Sequence, residues 1–182
     1  MLETLALRGT GTHEETAESP VVGAELPTGW YLVVAGDLGH RLMGDPTVQR
    51  LSAGCDVVTG DVEEHAMVSV ATGWKDGQRV WSVTHDGQQD MYHLQTEGEL
   101  PAAFTDIRDR LRSEQHAAGG RKVTVDFIFD VPVELAQALT GYRHDADIPG
   151  ARADPFEVLV EIPSGASAST SRSSFLRRLF GG

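Results

Sequence analysis

The stretch MVSVATGWKDGQRVWSVTH, residues 67–85, decides the fold, because apolar alternation and turn chemistry agree across it. Asp76-Gly77 is the dipeptide that a two-residue type I′ turn selects, since both central residues of that turn need a positive φ. Setting Lys75 opposite Gln78 fixes the register and predicts one apolar face. The pairs on that face are Trp74–Arg79, Thr72–Trp81, Val70–Val83 and Val68–His85. The other face is predicted to carry Ser69, Ala71, Gly73, Val80, Ser82 and Thr84.

A third strand extends this hairpin into a central β-meander over about residues 62–97. Reading residues 86–89 as a four-residue loop sets Val83 against Tyr92 and Trp81 against Leu94, which continues the apolar face. A two-residue loop would set Val83 against Asp90 instead. The four-residue loop is therefore the predicted connection.

The elements around the meander predict an α+β domain with a mainly antiparallel sheet. The pattern predicts an amphipathic helix over about residues 101–118, in which Phe104, Ile107 and Leu111 form one apolar stripe. Two short helices follow Asp45-Pro46 and Asp130, and they end at Gly54 and Gly141. Further strands are predicted at residues 29–36, 56–62, 122–130 and 156–162. The sequence predicts a poorly ordered lead-in at 1–28 and one α+β domain at 29–163. A Ser-rich linker at 164–174 and a short amphipathic segment at 175–182 are predicted to form a flexible C-terminal tail.

Charge and composition restrict the classes of partner. The chain has 182 residues, a formal charge of −12 and one cysteine, Cys55. Residues 151–182 carry +1, so residues 1–150 carry −13 and would repel nucleic-acid phosphates. No run is apolar enough to span a bilayer and the first residues lack a secretory signal, which predicts a cytoplasmic, bacterial type of protein. The acidic balance predicts a basic protein partner and no nucleic acid, while the oligomeric state stays open.

The seven histidines do not predict a catalytic or metal site. None belongs to a spaced metal-ligand motif, so neither a metal nor a cofactor is predicted. The predicted register puts His93 opposite Ser82, which resembles a nucleophile beside its base, but no orienting group completes it. His85 is predicted to be a packed histidine with a partner.

The leading functional interpretation is an acidic, non-enzymatic module that binds another protein. In size, acidity and absence of a catalytic motif the chain is similar to the immunity proteins that neutralise basic bacterial toxins or effectors. The candidate partner-binding residues in the domain are Asp61, Glu63, Glu64, Asp86 and Asp90.

Two other classes stay open. One is a small hydrolase or metal-dependent enzyme whose loops bring together Asp37, His40, His144 and Asp145. The other is a regulatory or scaffolding module tethered by its tail, where apolar side chains and two arginines form a small amphipathic motif. The candidate contact residues of that motif are Phe175, Leu176, Arg177, Arg178, Leu179 and Phe180.

Overall fold

Two four-stranded antiparallel sheets and three helices make up the α+β fold, as predicted, in a computed structural model that describes residues 1–37 and 39–163. The first sheet, sheet A, has the strand order β1-β8-β2-β3, and the second, sheet B, has the order β4-β5-β6-β7. The strands are β1 Leu7–Glu14, β2 Val21–Glu25, β3 Tyr31–Ala35, β4 Asp56–Glu63, β5 Val68–Lys75, β6 Gln78–Asp86, β7 Gln95–Gly98 and β8 Phe156–Glu161. The helices are α1 Asp45–Leu51, α2 Ala103–Ala118 and α3 Asp130–Thr140. No helix within the described ranges is long and apolar enough to cross a membrane.

Sheet B is the predicted meander, with the Asp76-Gly77 turn in place and both turn residues at positive φ. The register agrees with the prediction only at Lys75–Gln78 and Trp74–Arg79. A bulge then places Gly73 opposite Trp81, so Val80 is the extra residue, and the remaining pairs are shifted by one position. The predicted face of β5 was therefore wrong. Its inward residues are Ser69, Ala71 and Gly73, opposite His85, Val83 and Trp81.

Gly73 explains why the shifted register is stable. A Cβ at this position would lie 2.0 Å from Nε1 of Trp81, so the absent side chain is the space that the indole occupies. Trp81 and Val83 are buried in the main core with Ala71. Val70 pairs with Thr84 and belongs to the opposite face.

The third strand of the meander was predicted too early in the chain. Strand β7 starts at Gln95, and its Thr96 pairs with Val83 while its Gly98 pairs with Trp81. Tyr92 and Leu94 precede the strand, although both pack against the same core. The Asp90 carboxylate accepts a hydrogen bond from the Tyr92 amide, which turns the chain where a strand was predicted.

Two of the four strands of sheet A, β1 and β2, come from the predicted lead-in, and this corrects the prediction that residues 1–28 are poorly ordered. Strand β1 pairs with β8, and β2 lies between β8 and β3. Leu7 and Val22 are almost fully buried, which supplies the apolar anchors of these two strands. Two apolar clusters, one containing Leu7 and Leu159 and the other containing Val22 and Phe156, hold the sheet.

Helices α2 and α3 cover the inner face of sheet B. Phe104 and Leu111 of α2 are buried, and Ile107 packs beside them, as the predicted stripe requires. Val131 and Leu135 of α3 complete the same core. Gly141 ends α3 in the left-handed region at φ 85°, as expected for a C-terminal glycine.

The segment 122–130, predicted as a strand, has no strand. The fully buried side chain of Gln115 takes the place of a neighbouring strand, because its amide group donates to the carbonyls of Gly120 and Val125 and its Oε1 accepts from the Phe127 amide. Side-chain hydrogen bonds thus satisfy a backbone that a period-two pattern assigned to a sheet ladder.

Candidate functional site

A cleft of about 930 Å³ lies between edge strand β3 of sheet A and edge strand β4 of sheet B. Strand β3 lines it along its full length, and β4 lines it from Asp56 to Glu63. Pro132, Val133 and Ala136 of α3 form another part of its wall. The volume is at the upper end of the roughly 300–1,000 Å³ of small-ligand sites, and the lining is mainly apolar.

Both strands present an unpaired edge to this cleft. In the described part of the chain β3 pairs only with β2, and β4 pairs only with β5. In an antiparallel edge strand, alternate residues point their N–H and C=O groups away from the paired neighbour. The two strands that line the cleft therefore each carry a row of backbone donors and acceptors that no strand among the described residues pairs.

The two outer edges of the sheets differ from this inner pair. Strand β7 is short, polar and exposed along its length, and an ion pair joins its Glu97 to Arg79 on β6. Strand β1 carries an irregularity between Gly9 and His13. Short polar strands and bulges are two of the devices that prevent an edge from pairing with another chain. Strand β3, with the sequence YLVVA, has neither device and is only half-buried.

The charge of the cleft is acidic. Four carboxylates line it, from Asp37, Asp56, Asp61 and Glu63, against the single guanidinium of Arg143. Asp56 forms an ion pair with Lys75 at 3.5 Å, whereas the Asp61 carboxylate is exposed. The wall thus combines apolar strand edges with an excess of negative charge.

Arg143 adds little positive potential because two carboxylates bind it. Its Nη2 lies 2.9 Å from an oxygen of Asp130, and its Nε lies 2.5 Å from Asp145. The hydrogen bond to Asp145 is the main reason why the pKa of Arg143 is raised, and the same bond holds the pKa of Asp145 below its ordinary value. The ion pairs fix the chain between α3 and the cleft wall.

The structure separates the predicted partner-binding residues into two groups. Asp61 and Glu63 line the cleft, and Glu64 lies beside it, 3.6 Å from Nε2 of His144. Asp86, the last residue of β6, and Asp90, in the turn that follows, are outside it and bind the chain itself. The pKa of Asp86 is lowered mainly by the Gln89 side chain, and that of Asp90 mainly by Arg121. The predicted contact residues in 175–182 lie outside the described residues.

The four residues of the enzyme alternative are only partly brought together. Asp37 and His144 line the same cleft. His40 instead begins a short 3-10 turn, where its Nδ1 accepts from the Leu42 amide, and Asp145 binds Arg143. Within residues 1–37 and 39–163, no group of three His, Cys, Asp or Glu side chains could hold a metal ion.

The predicted contact between His93 and Ser82 is absent, because Ser82 pairs with Glu97. His93 turns its Nδ1 towards the Asp86 amide and accepts a hydrogen bond at 2.9 Å. His85 is fully buried with a partner, as predicted, but the partner is Asp126, at 3.0 Å from Nε2. The sequence showed no signal for this long-range pair. His85 has no exposed surface and therefore serves the fold.

Comparison of the chain with protein-family models, curated proteins and solved structures finds no match. The cleft is therefore interpreted from its own geometry. Its most informative residues, the Tyr31–Ala35 edge, were predicted as a buried strand, because a continuous apolar run is typical of such a strand.

Proposed function

We propose that the protein is a non-enzymatic binding module that accepts an extended, basic and apolar segment of a partner protein between β3 and β4. The observation that carries the proposal is that two unpaired strand edges line one acidic cleft. Addition of a strand to an exposed sheet edge is a recurrent mode of peptide recognition. Backbone hydrogen bonds supply affinity in that mode, and side-chain pockets supply specificity.

The dimensions of the cleft fit such a segment. Strand β3 has five residues and β4 has eight, so an added strand of five to eight residues would be about 17 to 27 Å long. Its alternate side chains would meet apolar residues such as Val33 and Val57, while its basic side chains would approach Asp61 and Glu63. Neutralisation of a basic toxin or effector, as by an immunity protein, is the specific form of this function that we propose.

A library of random ten-residue peptides, displayed and selected against the full chain, tests the proposal. The recovered peptides are expected to combine apolar residues with Lys or Arg. N-methylation of alternate backbone amides in the leading peptide should weaken binding at least about tenfold, a loss of about 1.4 kcal/mol, because it removes hydrogen bonds to the strand edge. Methylation of the intervening amides should have a much smaller effect.

Charge variants test where the peptide binds. Asp61→Lys should weaken binding, and the association rate of the wild type should fall as salt is added. The matched control is Glu15→Lys, because Glu15 is an exposed carboxylate outside the cleft. A library that yields no binder, or a binder indifferent to both methylation and Asp61→Lys, would contradict the proposal.

A further inference from the structure

The last described residues lie beside the wall of the cleft. Glu161, at the end of β8, forms an ion pair with Arg41 at 2.7 Å, and the Ile162 amide donates to the carbonyl of Ala6 at 2.7 Å. Leu42 and Met43, which follow Arg41, and Leu5, which precedes Ala6, all line the cleft. The chain that continues after Pro163 therefore starts next to this site.

The composition of that continuing chain matches the chemistry proposed for a partner segment. Residues 164–182 contain three arginines and no carboxylate side chain, so they carry +3 while residues 1–163 carry −15. Residues 175–182, FLRRLFGG, place Arg177 and Arg178 between two apolar pairs. This is the combination of positive charge and apolar side chains that an acidic cleft with apolar strand edges would accept.

The intervening residues are long enough for an intramolecular contact. Residues 164–174 are mostly Ser, Ala and Gly, and a flexible chain of eleven residues would have a typical end-to-end distance of about 18 Å. A tether of that kind gives an effective concentration of about 1 mM, so an intrinsic Kd of about 100 μM would leave the site roughly 90% occupied. A weak intrinsic affinity is thus sufficient.

We propose that residues 175–182 of the same chain occupy the cleft between β3 and β4 and compete there with a partner. This inference rests on the proposed function only for the competition, since the tail can occupy the cleft whether or not a partner exists. At an occupancy of roughly 90%, the tail would weaken the apparent affinity for a partner peptide about tenfold.

Cys55 provides the probe for an experiment on the full chain. It is the only cysteine, it is exposed, and it lines the cleft. A nitroxide attached to its Sγ should broaden the amide signals of residues 175–182 in an NMR spectrum. The same label on Glu15→Cys in a Cys55→Ser background should broaden them much less.

Charge reversal supplies the matched variants. Arg177→Glu combined with Arg178→Glu should restore the broadened signals and shift the amide signals of Val33 and Asp61, a second measurement that needs no label. Arg172→Glu, within the linker, should change both measurements far less. Broadening that survives the double reversal, or no broadening at all, would overturn the inference.

Two further measurements complete the test. One distinguishes contact within one chain from contact between copies, and the other distinguishes binding of the tail from binding of a partner. A mixture of isotope-labelled chains without nitroxide and unlabelled chains with nitroxide reports contact between copies. Broadening that persists in that mixture would show that the tail binds a second copy and would overturn the inference, whereas contact within one chain should leave the mixture without broadening. The tail contact can also fail while selected peptides still bind, which would remove this inference and leave the proposed function. The converse result, tail contact without any selected peptide, would leave the inference and remove the partner-binding function.

Discussion

Replacing Asp126 by Asn should reverse the pH dependence of stability, because Asp126 holds a buried histidine in its charged form. Nδ1 of His85 lies 2.8 Å from the carbonyl oxygen of His93, and Nε2 lies 3.0 Å from Oδ2 of Asp126. A carbonyl and a carboxylate can only accept, so the ring donates both hydrogen bonds only as an imidazolium. Burial by itself lowers the pKa of His85, but the hydrogen bonds to Asp126 and His93 outweigh it, and the pKa lies above its ordinary value.

The sign of the pH dependence follows from linkage. The folded pKa of wild-type His85 is raised above the unfolded value near 6.5, so the stability that it contributes is fully present below pH 6.5 and is lost as pH rises through the folded pKa. Each unit of difference in pKa is worth about 1.4 kcal/mol. The wild-type free energy of unfolding should therefore fall across that window.

In Asp126→Asn the opposite slope is expected. The Asp126 Oδ1 accepts from the amides of Ile128 and Phe129, and an Asn oxygen can keep this role only if its NH₂ group faces His85. Nε2 of His85 must then accept, so the buried ring is neutral and its protonation is disfavoured. The variant should be about 3–5 kcal/mol less stable than wild type well below pH 6.5, and only about 1 kcal/mol less stable above the wild-type folded pKa.

Urea unfolding of both proteins at a series of pH values between about 5 and 9 measures this difference. The control is His65→Gln, because the His65 side chain is fully exposed, at 101% of its reference area, and should leave the pH profile unchanged. A difference between wild type and Asp126→Asn that stays constant over the whole range would refute the assignment of an imidazolium to His85.

Two further substitutions test the packing of sheet B and the segment after α2. Gly73→Ala should lower the free energy of unfolding in urea by about 1–3 kcal/mol, because the added Cβ would lie 2.0 Å from Nε1 of Trp81. The control Gly60→Ala, whose Cβ would meet nothing within 4 Å, should change that free energy by less than about 0.5 kcal/mol. Equal effects of the two substitutions would contradict the observed register. Gln115→Leu should cost about 2–4 kcal/mol and expose residues 120–127 to proteolysis, since the Gly120 and Val125 carbonyls and the Phe127 amide lose the hydrogen bonds of a fully buried side chain. Gln78→Leu, at the exposed start of β6, should leave the cleavage rate unchanged.

Patterns of neighbouring residues predicted the turns and helix ends of the fold better than they predicted which face of a strand is buried. The Asp76-Gly77 turn, the stripe on α2 and the glycine after α3 each depend on a few neighbouring residues, and all three are confirmed. The bulge at Val80 depends instead on the fit of the Trp81 ring against Gly73, which strict alternation does not contain. Gly73 within a strand was the one available signal, because an interior glycine often marks a bulge or a close approach.

Interactions between distant residues account for the other errors. Gln115 and Asp126 replace a predicted strand by hydrogen-bonding the backbone of residues 120–129, and a polar residue in a helix carries no mark of such a role in the sequence. The predicted lead-in has few large apolar residues, yet β1 and β2 are stable because β8 pairs with both of them. Pairing with a strand more than a hundred residues away supplies the apolar contacts that their own composition lacks.

The cleft also depends on contacts between distant residues, in this case on which strand edges remain unpaired. A continuous apolar run such as YLVVA indicates that both faces of a strand are covered, which is only partly true of the half-buried β3. The run contains no information about whether both edges of the strand are paired. Acidic residues on β4 were predicted to contact a partner from charge alone, and the fold places Asp61 and Glu63 at the cleft while it commits Asp90 to Arg121. Strand addition is suggested by an unprotected apolar edge that faces a second edge across an acidic cleft. This combination arises only when sheets A and B are brought together. Function in this protein is therefore expected to depend on pairs of residues that are far apart in sequence, and substitutions at β3 should affect binding even though no single residue there resembles a site.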